Sequence, residues 1–249
     1  MAFKRILGVL TVREGCLVKS YGYSRWRPAG GLVTALRNLD RWGADEIVVL
    51  DISRRAGLDS EVLSQIKAAR VSTPLAYGGG IRRVEDVHHL MELGCDRFIV
   101  ENLLFTHPEL VNRLAELAGR QALIASLPIL ASGAFLSAPA LWRPDGSLSW
   151  LEWRERLQAL PVSEFLVTSV DSEGVSGNFP VALPSALEGF AEKSVIWFGG
   201  LDLDAARACL ALPATVGVAW GNSFHETELA MPHLRRRLLR GGLRPARLA

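Results

Sequence analysis

Little surplus charge of either sign is present in this sequence, and that removes several classes of protein at once. Its 28 lysines and arginines against 26 aspartates and glutamates leave a formal net charge of +2, too small to argue for binding to nucleic acid or a membrane surface. Cysteine is equally sparse. Cys16, Cys95 and Cys209 are odd in number and lack metal-ligand spacing, which suits a reducing compartment better than a disulfide framework. No apolar run approaches the roughly 18 residues of a membrane span, and Met1-Ala-Phe-Lys-Arg5 leads into a strand pattern rather than a secretory signal. The expectation is a cytoplasmic protein without metal or cofactor. The basic stretch from Arg235 to Arg247 reads as a solvated helix end.

What the chain does contain is a large apolar share, 49%, arranged in short β-branched-rich runs. Such runs mark strands of a parallel sheet covered on both faces. They are expected at Ile6–Val12, Ile47–Ile52, Leu75–Gly78, Phe98–Glu101, Ala122–Leu127, Phe165–Val170, Val195–Phe198 and Val216–Trp220. Helical patterns lie between them, at Gly31–Trp42, Val84–Leu93, Pro108–Ala118, Trp150–Leu160 and Leu203–Leu210 among others. Strand and helix in alternation imply parallel strands joined by crossovers.

The strand ends repeat about half a chain apart. Asp51 and Asp171 differ by 171 − 51 = 120 positions, Gly79 and Gly199 by 199 − 79 = 120, and Asn102 and Asn222 by 222 − 102 = 120. A fourth pair, Leu10-Thr11 and Leu127-Pro128, is offset by 117 and is weaker. Two equivalent halves with four strand ends each predict a (β/α)8 TIM barrel built from two duplicated half-barrels. The 249 residues match the roughly 250 of one such barrel, so residues 1–249 read as a single domain.

In a barrel the loops after the strands build the active face. Two are longer than their connections need, Lys19–Pro28 after the first strand and about 129–149 after the fifth; both read as lids or binding loops. Gly79-Gly80 and Gly199-Gly200 precede helices, where exposed backbone amides suit an anion such as phosphate; tight turns without a ligand use glycine in the same way. Asp51 and Asp171 either overlook the site or tie loops together. Lys19, Arg25 and Arg27 can clamp an anionic ligand or simply face solvent. At the opposite strand ends stand Arg5, Glu46, Arg97 and Glu164, two cations and two anions that can close a ring of salt bridges and stabilise the barrel bottom.

The opening Lys4-Arg-Ile…Val12, Val18-Lys19, Asp45-Glu-Ile-Val-Val-Leu-Asp51-Ile, Gly78-Gly-Gly-Ile81 and Thr168-Ser-Val-Asp171-x-x-Gly174 resemble the cyclase subunit of imidazole glycerol phosphate synthase over about residues 1–230. The isomerase of the same pathway is similar too, but the charged ring and Asp96 favour the cyclase. The resemblance implies a glutaminase subunit docked on the barrel bottom near Asp96. It also implies ammonia passing the ring Arg5/Glu46/Arg97/Glu164 toward a bisphosphorylated substrate on the opposite face.

Departures from the family pattern are as informative. The two aspartates that carry the family's cyclisation correspond to Thr11 and Pro128 here. Neither side chain holds a proton near neutral pH as a carboxyl does, and general acid–base help is worth roughly 10²–10⁴-fold. Glu101-Asn102 stands at one phosphate site, where a carboxylate repels phosphate. Phe198 narrows the other, where Gly221-Asn222 stands. On these residues the second site, with Gly174, Gly199, Gly200, Gly221 and Asn222, is expected to be the usable one, and Gly79, Gly80 and Asn102 the doubtful one. Glu101, Asp51, Asp171 and Glu173 are the carboxylates left for proton transfer. The reading is a divergent acceptor-site partner of a glutamine amidotransferase, using channelled ammonia on a phosphorylated or nucleotide-linked substrate. A non-catalytic barrel that binds or regulates a glutaminase or a metabolite, and a working cyclase of histidine biosynthesis with shifted residues, are the alternatives.

Overall fold

A computed structural model describes residues 3–131, 140–143, 146–187 and 193–238. Parts of the loop expected after the fifth strand, and residues 239–247 of the basic tail, lie outside the described residues. Eight parallel strands close on themselves: β1 (Arg5–Arg13), β4 (Glu46–Asp51), β5 (Leu75–Gly78), β6 (Arg97–Val100), β7 (Leu123–Leu130), β10 (Glu164–Ser169), β11 (Ser194–Phe198) and β12 (Thr215–Trp220). Closure comes from β7 pairing with β10 and β12 pairing with β1. Helices α1 (Leu32–Arg41), α2 (Ser60–Ala69), α3 (Val84–Glu92), α5 (Pro108–Ala118), α6 (Trp150–Ala159) and α8 (Leu203–Ala211) fill the crossovers, with short α4 (Leu103–Thr106) and α7 (Leu183–Ala186) and the closing α9 (Ala230–Leu238). The expected (β/α)8 barrel is the fold found, with each strand within a few residues of its expected place.

Strand alternation sorts the apolar residues into two bodies. The larger core lies between strands and helices and includes Ile6, Leu10, Val49, Tyr77, Phe98 and Phe165. The smaller fills the barrel, with Leu7, Val9, Val48, Leu50, Ala76, Ile99, Ile124, Leu166, Ile196, Phe198 and Ala219. The interior is thus a packed apolar plug. Its parity also places Thr11, two residues beyond Val9, on the inward side of β1.

Both long loops contribute antiparallel strands among the described residues. β2 (Cys16–Tyr21) folds back on β1 with Val12 opposite Leu17, and β3 (Arg25–Pro28) pairs with β2. Likewise β8 (Ala140–Arg143) pairs with the end of β7, and β9 (Gly146–Ser149) pairs with β8. The expectation of loops at these positions is corrected on this point. Polar and aromatic residues broke the apolar strand pattern, whereas the pairing rests on backbone hydrogen bonds to an extended barrel strand.

The last helix is anchored by a buried ion pair. Arg235 Nη2 meets Asp45 Oδ2 at 2.8 Å, and both side chains are almost fully buried. Asp45 Oδ2 also accepts from the Ile6 amide at 2.8 Å, and Arg235 donates to the Gly43 carbonyl at 2.9 Å. Removing one member leaves an uncompensated buried charge, a loss of about 3–5 kcal/mol. Asp45→Ala is therefore expected to lower the urea midpoint by that equivalent, and a shift below about 1 kcal/mol would show that the pair does not anchor α9.

Candidate functional site

The strand starts at the barrel bottom bring four charged side chains together. Arg5 meets Glu46 and Glu164, each at 2.5 Å, while Arg97 meets Glu164 at 2.7 Å and Glu46 at 3.5 Å. The expected ring is closed. Burial pushes the Glu46 carboxyl above its ordinary value, with Arg5 and Arg97 pulling it back. Its Oε1 is buried and has no hydrogen-bond partner among the described residues. Asp96 is exposed beside the ring, and one of its oxygens accepts from the Leu75 amide at 2.9 Å.

At the other end, a cleft of about 640 Å³ opens between the ends of β4 and β7. That lies inside the roughly 300–1,000 Å³ range of small-molecule sites. Asp51, Gly79, Gly80, Glu101 and Asn102 line it, as do Arg54, Arg55, Arg82 and Arg143. Gly79 has φ +110, and a Cβ there would overlap the Asp51 carbonyl oxygen, so glycine alone lets β5 turn against β4. Asp51 accepts from the Ser53 amide at 2.8 Å and from its hydroxyl. Its carboxylate thus shapes the turn that carries Arg54 and Arg55.

Glu101 is the cleft's central acid. The Ser126 hydroxyl donates to its Oε2 at 2.8 Å. It keeps accessible surface within the cleft, yet the surrounding protein is dense enough for desolvation to push its carboxyl above the ordinary value. The Ser126 hydrogen bond and the charges of Arg143 and Arg54 oppose that shift. Arg54 lies 5.5 Å from the Trp142 ring centre and Arg143 lies 5.0 Å from that of Phe105, contacts that hold both guanidiniums in the cleft. Arg143 also donates to Asn102 Oδ1 at 3.3 Å.

The remaining sequence candidates are elsewhere. Gly199, Gly200, Gly221, Asn222 and Gly174 do not line this cleft. Asn222 Nδ2 instead donates to the Ser20 carbonyl at 2.8 Å, and a Cβ on Gly174, at φ +87, would overlap that same oxygen. Glu173 is buried under the hairpin, where it accepts from the Ser20 hydroxyl at 3.0 Å and the Tyr23 amide at 3.4 Å. Burial raises its pKa, opposed by those bonds. Lys19 pairs with Glu226 at 2.9 Å and lies outside the cleft, as do Arg25 and Arg27 on β3. Asp171 accepts from the Ala131 amide at 2.8 Å. Thr11 and Pro128 are buried in their strands and do not line the cleft. The sequence favoured the Gly199 side for phosphate; this cleft lies on the Gly79 side.

Sequence reasoning missed Arg54, Arg55, Arg82, Arg143, Ser126 and Tyr23. A usable signal existed for three of them. Arg54-Arg55 and Arg82-Arg83 are arginine doublets two to four residues beyond strand-ending Asp51 and Gly78–Gly80. Among the described residues, no group of three or more His, Cys, Asp or Glu side chains is placed to hold a metal, and no helix is long and apolar enough to cross a membrane.

A closed (β/α)8 barrel with an open cleft at the strand C-termini and a charged ring at the N-termini defines the class. The histidine biosynthesis protein family model matches residues 5–230, and the chain belongs to that family. Imidazole glycerol phosphate synthase subunit HisF of Thermococcus gammatolerans is 29% identical over 259 aligned positions, which cover 100% of this chain and 99% of that protein.

The raised Glu101 pKa has a testable sign. A carboxyl whose folded pKa exceeds its unfolded value binds extra protons in the native state, so its contribution to stability falls as pH rises through that interval. Relative to Glu101→Gln, the wild type should lose stability progressively from its ordinary value of 4.5 upward. Urea midpoints of the two proteins that run parallel with pH would disprove the shift.

Proposed function

We propose that this barrel is the acceptor-site subunit of a glutamine-dependent amidotransferase, receiving ammonia at its bottom and using it on a phosphorylated or nucleotide-linked substrate in the Gly79–Glu101 cleft. The observation that carries the reading is the charged ring and the cationic cleft at opposite ends of one apolar interior. Four arginines around backbone glycines suit an anionic substrate group, since each is always charged and donates in a fixed fork. Glu46 Oε1, buried without a hydrogen-bond partner among the described residues, is an acceptor on which an N–H of entering ammonia can rest. The barrel's packed interior favours a neutral molecule over ammonium, because an isolated charge is costly to bury there.

Glu101 is the acid of this site. Ionised, it accepts a proton from the attacking nitrogen; protonated, it returns one to a leaving oxygen. A pKa raised toward the working pH serves both steps. Asp51, Asp171 and Glu173 have structural duties, which leaves Glu101 as the catalytic candidate.

A working cyclase of histidine biosynthesis is the competing reading, and the family match favours it in general terms. Thr11 and Pro128 argue against it. Given ammonium and the histidine-pathway substrate, the purified protein should show negligible cyclisation, whereas turnover within about tenfold of an ordinary cyclase would restore that reading. Docking is tested separately. Asp96→Asn removes a charge while keeping an acceptor for the Leu75 amide, and should weaken binding of the cell's own glutaminase by about threefold to tenfold. Arg5→Ala should uncouple glutamine hydrolysis from product formation. A chain that binds no glutaminase from its own cell would instead be a non-catalytic metabolite-binding barrel.

A further inference from the structure

The arginine-lined cleft occupies the β4–β7 side of the barrel mouth, and Tyr23 stands at its edge. Its side chain lines the cleft and packs on the barrel-interior cluster. Burial raises its phenol well above the ordinary value, and the charge of nearby Glu173 adds to the shift. The ring reaches the cleft that Glu101 lines, while the Tyr23 amide is tied to Glu173 beyond β10. The hairpin that delivers it is fixed from beneath. Ser20 and the Tyr23 amide bond the Glu173 carboxylate, the Gly22 amide donates to the Glu173 carbonyl at 3.1 Å, and Asn222 holds the Ser20 carbonyl. Tyr23 itself has φ +52, a conformation that costs a bulky residue energy and is held by these contacts.

Resting on the reading of the cleft as a phosphate-ester site, we infer that it takes a ligand anionic at one end only, a sugar monophosphate or a nucleotide. Tyr23 is the residue that excludes a second anionic end. All four cleft arginines lie on the β4–β7 side, where an anion is favoured. A ligand reaching across the mouth toward Gly199 and Gly221 would have to displace the phenol and bring its second charge near the buried Glu173, while Lys19 on the same hairpin is already paired with Glu226. Selection against a doubly charged ligand comes from this steric and electrostatic wall as much as from attraction to the correct one.

Calorimetric titration of the full chain with ribose 5-phosphate and with fructose 1,6-bisphosphate tests this. The wild type should bind one monophosphate per chain, with the bisphosphate no more than about threefold tighter, and Arg82→Ala should weaken both by about tenfold. Tyr23→Gly relieves the positive φ while removing the wall, and should improve the bisphosphate-to-monophosphate ratio by about tenfold; Tyr23→Phe keeps the wall and should leave the ratio unchanged. Thermal melts of each variant establish that it folds. A wild type that prefers the bisphosphate by more than about tenfold, or an unchanged ratio in a folded Tyr23→Gly, overturns the inference while the phosphate site stands. Absence of binding by either probe overturns the phosphate site and the inference with it.

Discussion

Closure of the eight-stranded parallel sheet is the constraint from which the remaining features follow. Once β7 pairs with β10 and β12 with β1, each strand must send alternate residues inward to a space of limited width. In β1 that set is Arg5, Leu7, Val9 and Thr11. It passes from charge through hydrocarbon to a hydroxyl within one strand. The first residues of β4, β6 and β10 supply Glu46, Arg97 and Glu164, whose side chains reach Arg5 or one another across the barrel bottom, so four long charged side chains meet in one small volume. Opposite charges and hydrogen bonds make that meeting tolerable; without both, partly buried ions would be strongly destabilising.

The same closure leaves the strand C-termini as the place where backbone is free to diverge, and here the molecule is asymmetric. On the β4–β7 side, the chain turns away through Gly79 and leaves a cleft faced by arginines. Toward β10–β12, the β2–β3 hairpin lies over the strand ends and is bonded through Ser20, Gly22 and Tyr23 to Glu173. A loop with the composition of a lid serves as a wall. Its extended backbone finds partners in β1 and in the loop after β10, and those bonds offset the entropy of ordering it.

Electrostatics divides labour among the acids. Asp51, Asp171 and Glu173 accept backbone amides or hydroxyls that hold turns and the hairpin in place. Glu101 accepts only from Ser126 among its described hydrogen bonds and faces the open cleft among cations. Desolvation by the surrounding protein raises both Glu101 and Glu173, yet Glu173 is buried while Glu101 keeps open cleft beside it. A raised carboxyl becomes a candidate for proton transfer through access, not through the shift alone.

Strand positions, the alternation of strand and helix and the two pairs of charges at the strand starts were legible in the sequence, because burial on both faces of a parallel strand and its two-residue period are written locally. The Asp51, Gly79 and Asn102 strand ends were legible for the same reason. Which side of the mouth carries the arginine-lined cleft was not. It depends on Ser20, Tyr23, Glu173 and Asn222, separated by up to about 200 positions, meeting across the barrel, and on Arg143 reaching the cleft from the β8–β9 hairpin. Local patterning specified the barrel and the chemical groups at its two ends; only the packing of distant loops decided which groups share a cavity, because hydrogen bonding of a loop backbone depends on partners that the surrounding sequence does not reveal.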